Sequence, residues 1–237
     1  MNKRLVIIPA YNEELNISDV VGELKGKVPA CDILVVDDGS SDRTAVLAEE
    51  AGADVITLPF NCGIGAAVQT GFKYAREKRY GVALQLDADG QHDPSFIKDL
   101  AREIENKNAD VVIGSRFLKA GSYKVSFMRM VGIWIFSKVN SFILKQYISD
   151  NTSGFRAYNE KALDFLAENY PRDYPEPEAV VALGINGFKI KEIPVFMRAR
   201  KRGRSSIHTA RPVYYMIKVP LAIFMNVLRP ICKKGDK

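Results

Sequence analysis

Short, mostly apolar runs recur through the first half of the chain at residues 5–8, 33–36, 54–58, 82–86 and 110–114, each followed by a polar turn. Runs of this length suit strands buried on both faces of a parallel sheet. Pro9 is expected to end the first of them. Between the runs the pattern changes to a helical period. One helix runs through Val20, Val21 and Leu24, and a second is capped by Asp42 and reaches about Ala51. A third opens at the turn Asn61-Cys-Gly-Ile-Gly65 and continues through Ala66, Thr70 and Tyr74. A fourth is capped by Asp93, with Pro94 at its first position, where proline is tolerated. Alternating βα units predict an α/β doubly wound, Rossmann-like and mostly parallel sheet flanked by helices, with chemistry at the carboxyl ends of its strands.

The second half changes character. Residues 125–144 are rich in Phe, Met and Ile around Trp134, but Arg129, Lys138 and Asn140 interrupt them. Residues 213–228 are again apolar and aromatic, with Lys218 and Pro220 inside. Both read as amphipathic helices at a membrane interface rather than spans, with core packing as the plain alternative. Residues 150–156 read as a polar loop before a helix, residues 171–177 as a proline-punctuated loop, residues 179–183 as an apolar helix and residues 189–193 as a strand. The expected organisation is a catalytic unit over residues 1–207 and a membrane-associating segment over 208–237.

Charge and cysteine content narrow the partners. The net charge over 237 residues is +6, and five of the positive charges fall in Arg198-Ala-Arg-Lys-Arg-Gly-Arg204. Such a cluster suits phosphorylated ligands or an anionic membrane. Three cysteines without C-x-x-C spacing and two histidines exclude a His/Cys metal cage. The apolar run at the amino terminus is too short for a signal peptide, so a cytoplasmic chain is expected, peripheral to the inner face of the membrane.

Polar groups stand at several strand ends: Tyr11 and Glu13, Asp37 and Asp38, Asp87 and Asp89, Ser115 and Arg116. Asp87 and Asp89 are one residue apart at the end of an apolar run, a spacing that puts two strand residues on one face. Adjacent carboxylates repel unless a cation joins them, and hard oxygen donors suit Mg²⁺ or Mn²⁺, which also grip phosphates.

Seven segments in order resemble the nucleotide-sugar glycosyltransferases of the GT-A fold, and among them the dolichyl-phosphate mannosyltransferase type. They are Ile8-Pro-Ala-Tyr-Asn-Glu13, Val35-Val-Asp-Asp-Gly-Ser-Ser-Asp42, Asn61-x-Gly-x-Gly65, Leu86-Asp-Ala-Asp-Gly-Gln91, Gly114-Ser-Arg116, Ser153-Gly-Phe-Arg156 and Arg200-x-x-Gly-x-Ser205. The resemblance implies an inverting transfer of sugar from a nucleotide sugar (GDP-mannose or a UDP-sugar) to a polyprenyl phosphate, dolichyl or undecaprenyl. It implies that Pro9, Tyr11, Glu13, Asp37 and Asp38 hold the nucleoside. Asp87, Asp89 and Gln91 take the metal and diphosphate, and Arg200 and Ser205 close over the donor. Ser115, Arg116, Arg129, Ser153 and Arg156 then serve the acceptor phosphate, with Asp89 and Arg116 central to catalysis. His92 is expected only to line the turn.

A phosphate acceptor is already ionised, so no strong base is obligatory. The rival is a same-fold enzyme acting on a sugar hydroxyl, which would need a carboxylate base, with Asp150, Glu176 and Glu178 as candidates. A dinucleotide oxidoreductase would want G-x-G-x-x-G after the first strand, where this chain has Pro9-Ala-Tyr-Asn-Glu13. A nucleic-acid or membrane-binding module would leave Asp87, Asp89 and Gln91 unexplained, and no nucleic-acid partner is expected. Members of the resembling family often carry transmembrane helices after the catalytic part, so either peripheral binding or a separate membrane-protein partner is expected.

Overall fold

A computed structural model of the protein describes residues 3–118, 141, 146–171 and 175–199. In chain order its elements are β1 (Arg4–Ala10), α1 (Ile17–Lys27), β2 (Cys31–Asp37), α2 (Thr44–Glu50), β3 (Asp54–Thr57), α3 (Ile64–Glu77) and β4 (Val82–Gln85). A 3-10 turn (Pro94–Phe96) then leads into α4 (Ile97–Glu105), β5 (Val111–Ser115), β6 (Arg156–Asn159), α5 (Glu160–Asn169), α6 (Pro175–Ile185) and β7 (Ile190–Pro194). The interfacial helices expected at 125–144 (residue 141 apart) and 213–228, and the segment 208–237, lie outside the described residues. Among the described residues no helix is long and apolar enough to cross a membrane.

The seven strands form one sheet in the order β3-β2-β1-β4-β6-β5-β7. All neighbouring pairs are parallel except those of β6, which runs antiparallel to both β4 and β5. The apolar run of β1 is buried on both faces. Leu5 and Ile7 pack with Val68 and Phe72 of α3, Leu163 and Leu166 of α5 and Val180 of α6. Val6 and Ile8 pack with Val20, Val21 and Leu24 of α1, Ala48 of α2 and Leu100 of α4. Each such aliphatic side chain contributes about 1.5–3 kcal/mol on full burial, and the two cores together hold the helices on opposite sides of the sheet.

Three sequence expectations change. Pro9 does not end β1, which stays in register with β2 through Ala10, Pro9 facing Val36. Ile7 accepts from Leu86 on the β4 side, and in a strand Pro9 faces the same side as Ile7. There β4 has already ended at Gln85, so the missing N–H costs no ladder bond. The polar loop expected over 150–156 gives way at Arg156 to β6, and the apolar helix begins at Pro175 rather than 179. The strand order reverses between β1 and β4, with β2 and β3 on one side of that point. Ligands of doubly wound sheets bind at the carboxyl edge of such a switch point. Tyr11 and Glu13 follow β1 there, and Asp87 and Asp89 follow β4.

Candidate active site

The turn after β4 is built by its own polar groups. Because β4 ends at Gln85, Asp87 and Asp89 lie beyond the strand, and turn contacts rather than a shared strand face orient them. Asp89 accepts the Gln91 N–H at 3.0 Å, and Gly90 between them sits at φ 73°, a left-handed conformation suited to glycine. Asp93 caps the following turn by accepting from the Ser95 N–H at 2.9 Å, with Pro94 at the first position. Asp87 Oδ2 faces His92 Nε2 at 3.0 Å. The His92 ring is almost fully buried against Phe155, with centroids 5.0 Å apart. Facing a carboxylate, that nitrogen is assigned the proton.

On its other side the Asp87 carboxylate rests on Gly154. A Cβ there would stand 2.6 Å from Oδ1 and 2.9 Å from Oδ2, so only glycine leaves the carboxylate where it is. Burial pushes the Asp87 carboxyl up, but His92 and the charges of Arg116 and Arg156 outweigh it, and the group lies below its ordinary range. It is therefore ionised at neutral pH. Among the described residues no group of three His, Cys, Asp or Glu side chains is assembled as a metal cage. Two carboxylates and the Gln91 carboxamide oxygen are still a fitting donor set for Mg²⁺ or Mn²⁺, which take the rest of their ligands from water and phosphate oxygens.

The nucleoside side is organised by Asp37 and Asp38. Asp37 is buried and accepts from the Ser40 N–H at 3.3 Å and from the Ser40 hydroxyl. Asp38 reaches across to the α3 entrance, accepting from the Cys62 N–H at 2.8 Å and the Gly63 N–H at 2.9 Å. Burial raises its carboxyl above the ordinary value against the pull of those two donors. Gly39, at φ 70°, lets the Phe60 backbone come within 2.6 Å of where a Cβ would be. Asp42 accepts from the Thr44 N–H at 2.9 Å just ahead of α2, whose N-cap position falls at Arg43 rather than at Asp42 as expected. The Thr44 hydroxyl in turn accepts from the Glu13 N–H at 2.8 Å. Tyr11 is exposed at this edge, and Glu13 accepts from Asn16 Nδ2 at 2.7 Å. Pro9 lies in β1 beneath them.

On the acceptor side the expected residues are engaged with the protein's own groups. Ser115 is buried with its hydroxyl 2.7 Å from that of Ser149, and Ser153 is buried donating to the Gly114 carbonyl at 2.7 Å. Arg156 is fully buried and donates to the backbone carbonyls of Ser153, Glu176 and Asn151 at 2.7, 3.0 and 2.9 Å. These three residues build the 149–156 loop and hold it against α6, with their polar groups engaged within the protein. Arg116 is gripped by Asp150 through Nε at 2.7 Å and Nη2 at 2.6 Å, with Thr152 also accepting from Nη2 at 2.6 Å. Asp150, fully buried and paired, is thereby removed as a general base. Glu192 of β7, unmarked by any sequence signal, accepts from the Ser149 and Asp150 N–H groups at 2.8 Å each and positions this pair. Arg129, Arg200 and Ser205 lie outside the described residues.

Comparison with known proteins places this geometry among relatives. The description "Glycosyl transferase family 2" matches residues 5–166. A polyprenol monophosphomannose synthase of Mycolicibacterium smegmatis is 34% identical over 92% of this chain and 85% of its own length. A UDP-N-acetylglucosamine–dolichyl-phosphate N-acetylglucosaminyltransferase of Methanococcus voltae is 32% identical over 80% of this chain and 83% of its own. Among solved structures, glucosyl-3-phosphoglycerate synthase from Mycobacterium tuberculosis, in complex with Mn²⁺, uridine diphosphate and phosphoglyceric acid, superposes with TM-score 0.73. It covers 95% of this chain and 78% of that one at 17% identity, a likeness that shows the shared GT-A fold.

Proposed function

The chain belongs to glycosyl transferase family 2, and from that premise we propose that it moves a sugar from a nucleotide sugar to a polyprenyl phosphate at a membrane surface. The observation that carries the reading is Asp87: an ionised carboxylate, fixed between His92 and Gly154, at the carboxyl edge of the sheet beside Asp89 and Gln91. The names of two relatives, a polyprenol monophosphomannose synthase and a dolichyl-phosphate N-acetylglucosaminyltransferase, support the acceptor class.

Pro9, Tyr11, Glu13, Asp37 and Asp38 are assigned to the nucleoside, and Asp87, Asp89 and Gln91 to the diphosphate and its Mg²⁺ or Mn²⁺. When bound, that cation supplies charge neutralisation for the departing nucleoside diphosphate. An acceptor phosphate oxygen forms the new bond to the anomeric carbon as the bond to the diphosphate oxygen breaks, inverting the centre. The protein's contribution is positioning and charge complementarity. Arg116, its guanidinium plane set by Asp150, and Arg129 are assigned to the acceptor phosphate, and Arg200 and Ser205 to the donor diphosphate. Action at the inner face, with peripheral attachment or a membrane-protein partner, belongs to the same proposal.

A second reading, transfer to a sugar hydroxyl, is favoured by one group. Burial raises the Glu176 carboxyl above its ordinary value, Arg156 opposes that rise and Asp87 adds to it, and a raised carboxyl is the direction a general base needs. A panel of radiolabelled nucleotide sugars offered with membranes and Mg²⁺ or Mn²⁺ separates the two. Acid-labile label in the organic phase is expected; label only in water-soluble or polysaccharide product would overturn the phosphate acceptor.

A further inference from the structure

Beyond β7 the chain runs back along the β4 turn. Val195 N–H donates to the Ser115 carbonyl at 3.0 Å, Met197 bridges to His92, and the Arg198 N–H donates to the Gln91 carbonyl at 2.8 Å. The Gln91 carboxamide answers, its Nε2 donating to the Arg198 carbonyl at 3.2 Å. That reciprocal pair fixes which end of the carboxamide meets the Arg198 backbone, and leaves the oxygen as the end not used there.

The Arg198 side chain is anchored independently. Nη1 and Nη2 fork onto the two oxygens of Glu23 in α1 at 2.8 and 2.9 Å, and Nη2 also lies 3.0 Å from Asp93 Oδ2. Lys27 closes the ring, with Nζ 2.8 Å from Glu23 and 2.9 Å from Asp93. Two cations and two carboxylates thus join α1, the 3-10 turn and the residue clasped to Gln91. The same Glu23 and Arg198 line a small crevice with Asp89 and Gly90. All four side chains are about a third exposed, so each ion pair adds little to stability. A planar bidentate fork adds directional constraint instead.

We infer that Arg198 is a positioning residue for the donor site: held by Glu23 and Asp93, it fixes the backbone that orients Gln91 toward the cation and diphosphate. The inference rests on the cation–diphosphate reading given above. Glu23, two turns into a helix, and Arg198, outside every strand, then act as one unit on a ligand neither needs to touch.

The test measures Mn²⁺ binding in the presence of UDP or GDP by the electron paramagnetic resonance signal of free Mn²⁺, alongside thermal unfolding, in wild type, Arg198→Gln, Glu23→Gln and the double variant. Arg198→Gln is expected to weaken binding about 10-fold with little change in unfolding temperature, and to raise the donor KM more than it lowers kcat. Glu23→Gln is expected to reproduce part of the effect, and the double variant to be no worse than Arg198→Gln alone, because the two residues share one function. Wild-type affinity retained in a folded Arg198→Gln or Glu23→Gln protein would overturn this inference and leave the donor-site reading standing. No Mn²⁺–nucleotide binding by the wild type would instead overturn the donor-site reading, and this inference with it.

Discussion

His92 Nε2 and Asp87 Oδ2, five residues apart in sequence, stand 3.0 Å apart across the turn that follows β4. The ring is buried and the carboxylate about a third exposed, so the imidazole is a fixed support and the carboxylate is the part presented to a ligand. A partner one shell outside a metal ligand sets its orientation and basicity.

Replacing His92 by Phe keeps the ring packing against Phe155 and removes the hydrogen bond. Cation affinity and kcat/KM are expected to fall roughly 10–100-fold while the protein stays folded. Isothermal titration with Mn²⁺ checks this, and an unchanged affinity would show that Asp87 orients itself.

Gly154→Ala attacks the same carboxylate from the opposite side. Its Cβ would meet Asp87 Oδ1 at 2.6 Å, and the flexible end of Asp87 is the atom that yields. Transfer activity is expected to drop at least about tenfold, with circular dichroism unchanged. Wild-type turnover in this variant would disconnect Asp87 from the reaction.

Asp150→Ala takes the carboxylate partner away from the nearly buried Arg116 guanidinium and leaves Thr152 among its acceptors. Loss of one member of a buried pair costs about 3–5 kcal/mol. Denaturant unfolding should show that loss, and Arg116→Met in the same chain should recover much of it. Equal stability of Asp150→Ala and wild type would mean that Glu192 and Thr152 alone hold the loop.

Glu176 and Asp87 respond to pH with opposite sign. The Glu176 carboxyl is raised by burial from its ordinary 4.5, so its contribution is fully present below pH 4.5 and is lost as pH rises through the raised value. Glu176→Gln should therefore match wild type in unfolding temperature at pH 4 and exceed it increasingly toward pH 8. The gain corresponds to roughly 2–4 °C for each kcal/mol of the removed penalty. Asp87, lying below its ordinary 3.8, contributes stability present above pH 3.8 and lost as pH falls through the lowered value. A Glu176→Gln protein with no pH-dependent gain would mean that the carboxyl is not buried against its charge.

The parallel core was legible because β1 is apolar at every position from Leu5 to Ile8, which only burial on both faces explains. The cap Asp93 was legible because it bonds two residues along the chain, as Asp42 does in the turn just ahead of α2. Strand β6 was hidden: four residues, Arg-Ala-Tyr-Asn, carry no period, and a buried arginine reads as surface charge. The pairings Arg116–Asp150 and Glu23–Arg198 span 34 and 175 residues, and no local pattern links such partners. For the same reason no local pattern shows that Ser115, Ser153 and Arg156 find partners in the protein's own backbone and a neighbouring serine.

The most direct measurement supplies purified protein with a synthetic polyprenyl phosphate, a nucleotide sugar and Mg²⁺ or Mn²⁺, and follows the lipid by mass spectrometry. The expected result is a glycosyl-phosphopolyprenol of inverted anomeric configuration, abolished by a chelator and by Asp89→Ala, with no product from the corresponding polyprenol lacking phosphate. Equal product from Asp89→Ala, or transfer only to a sugar hydroxyl, would contradict cation-assisted transfer to a lipid phosphate.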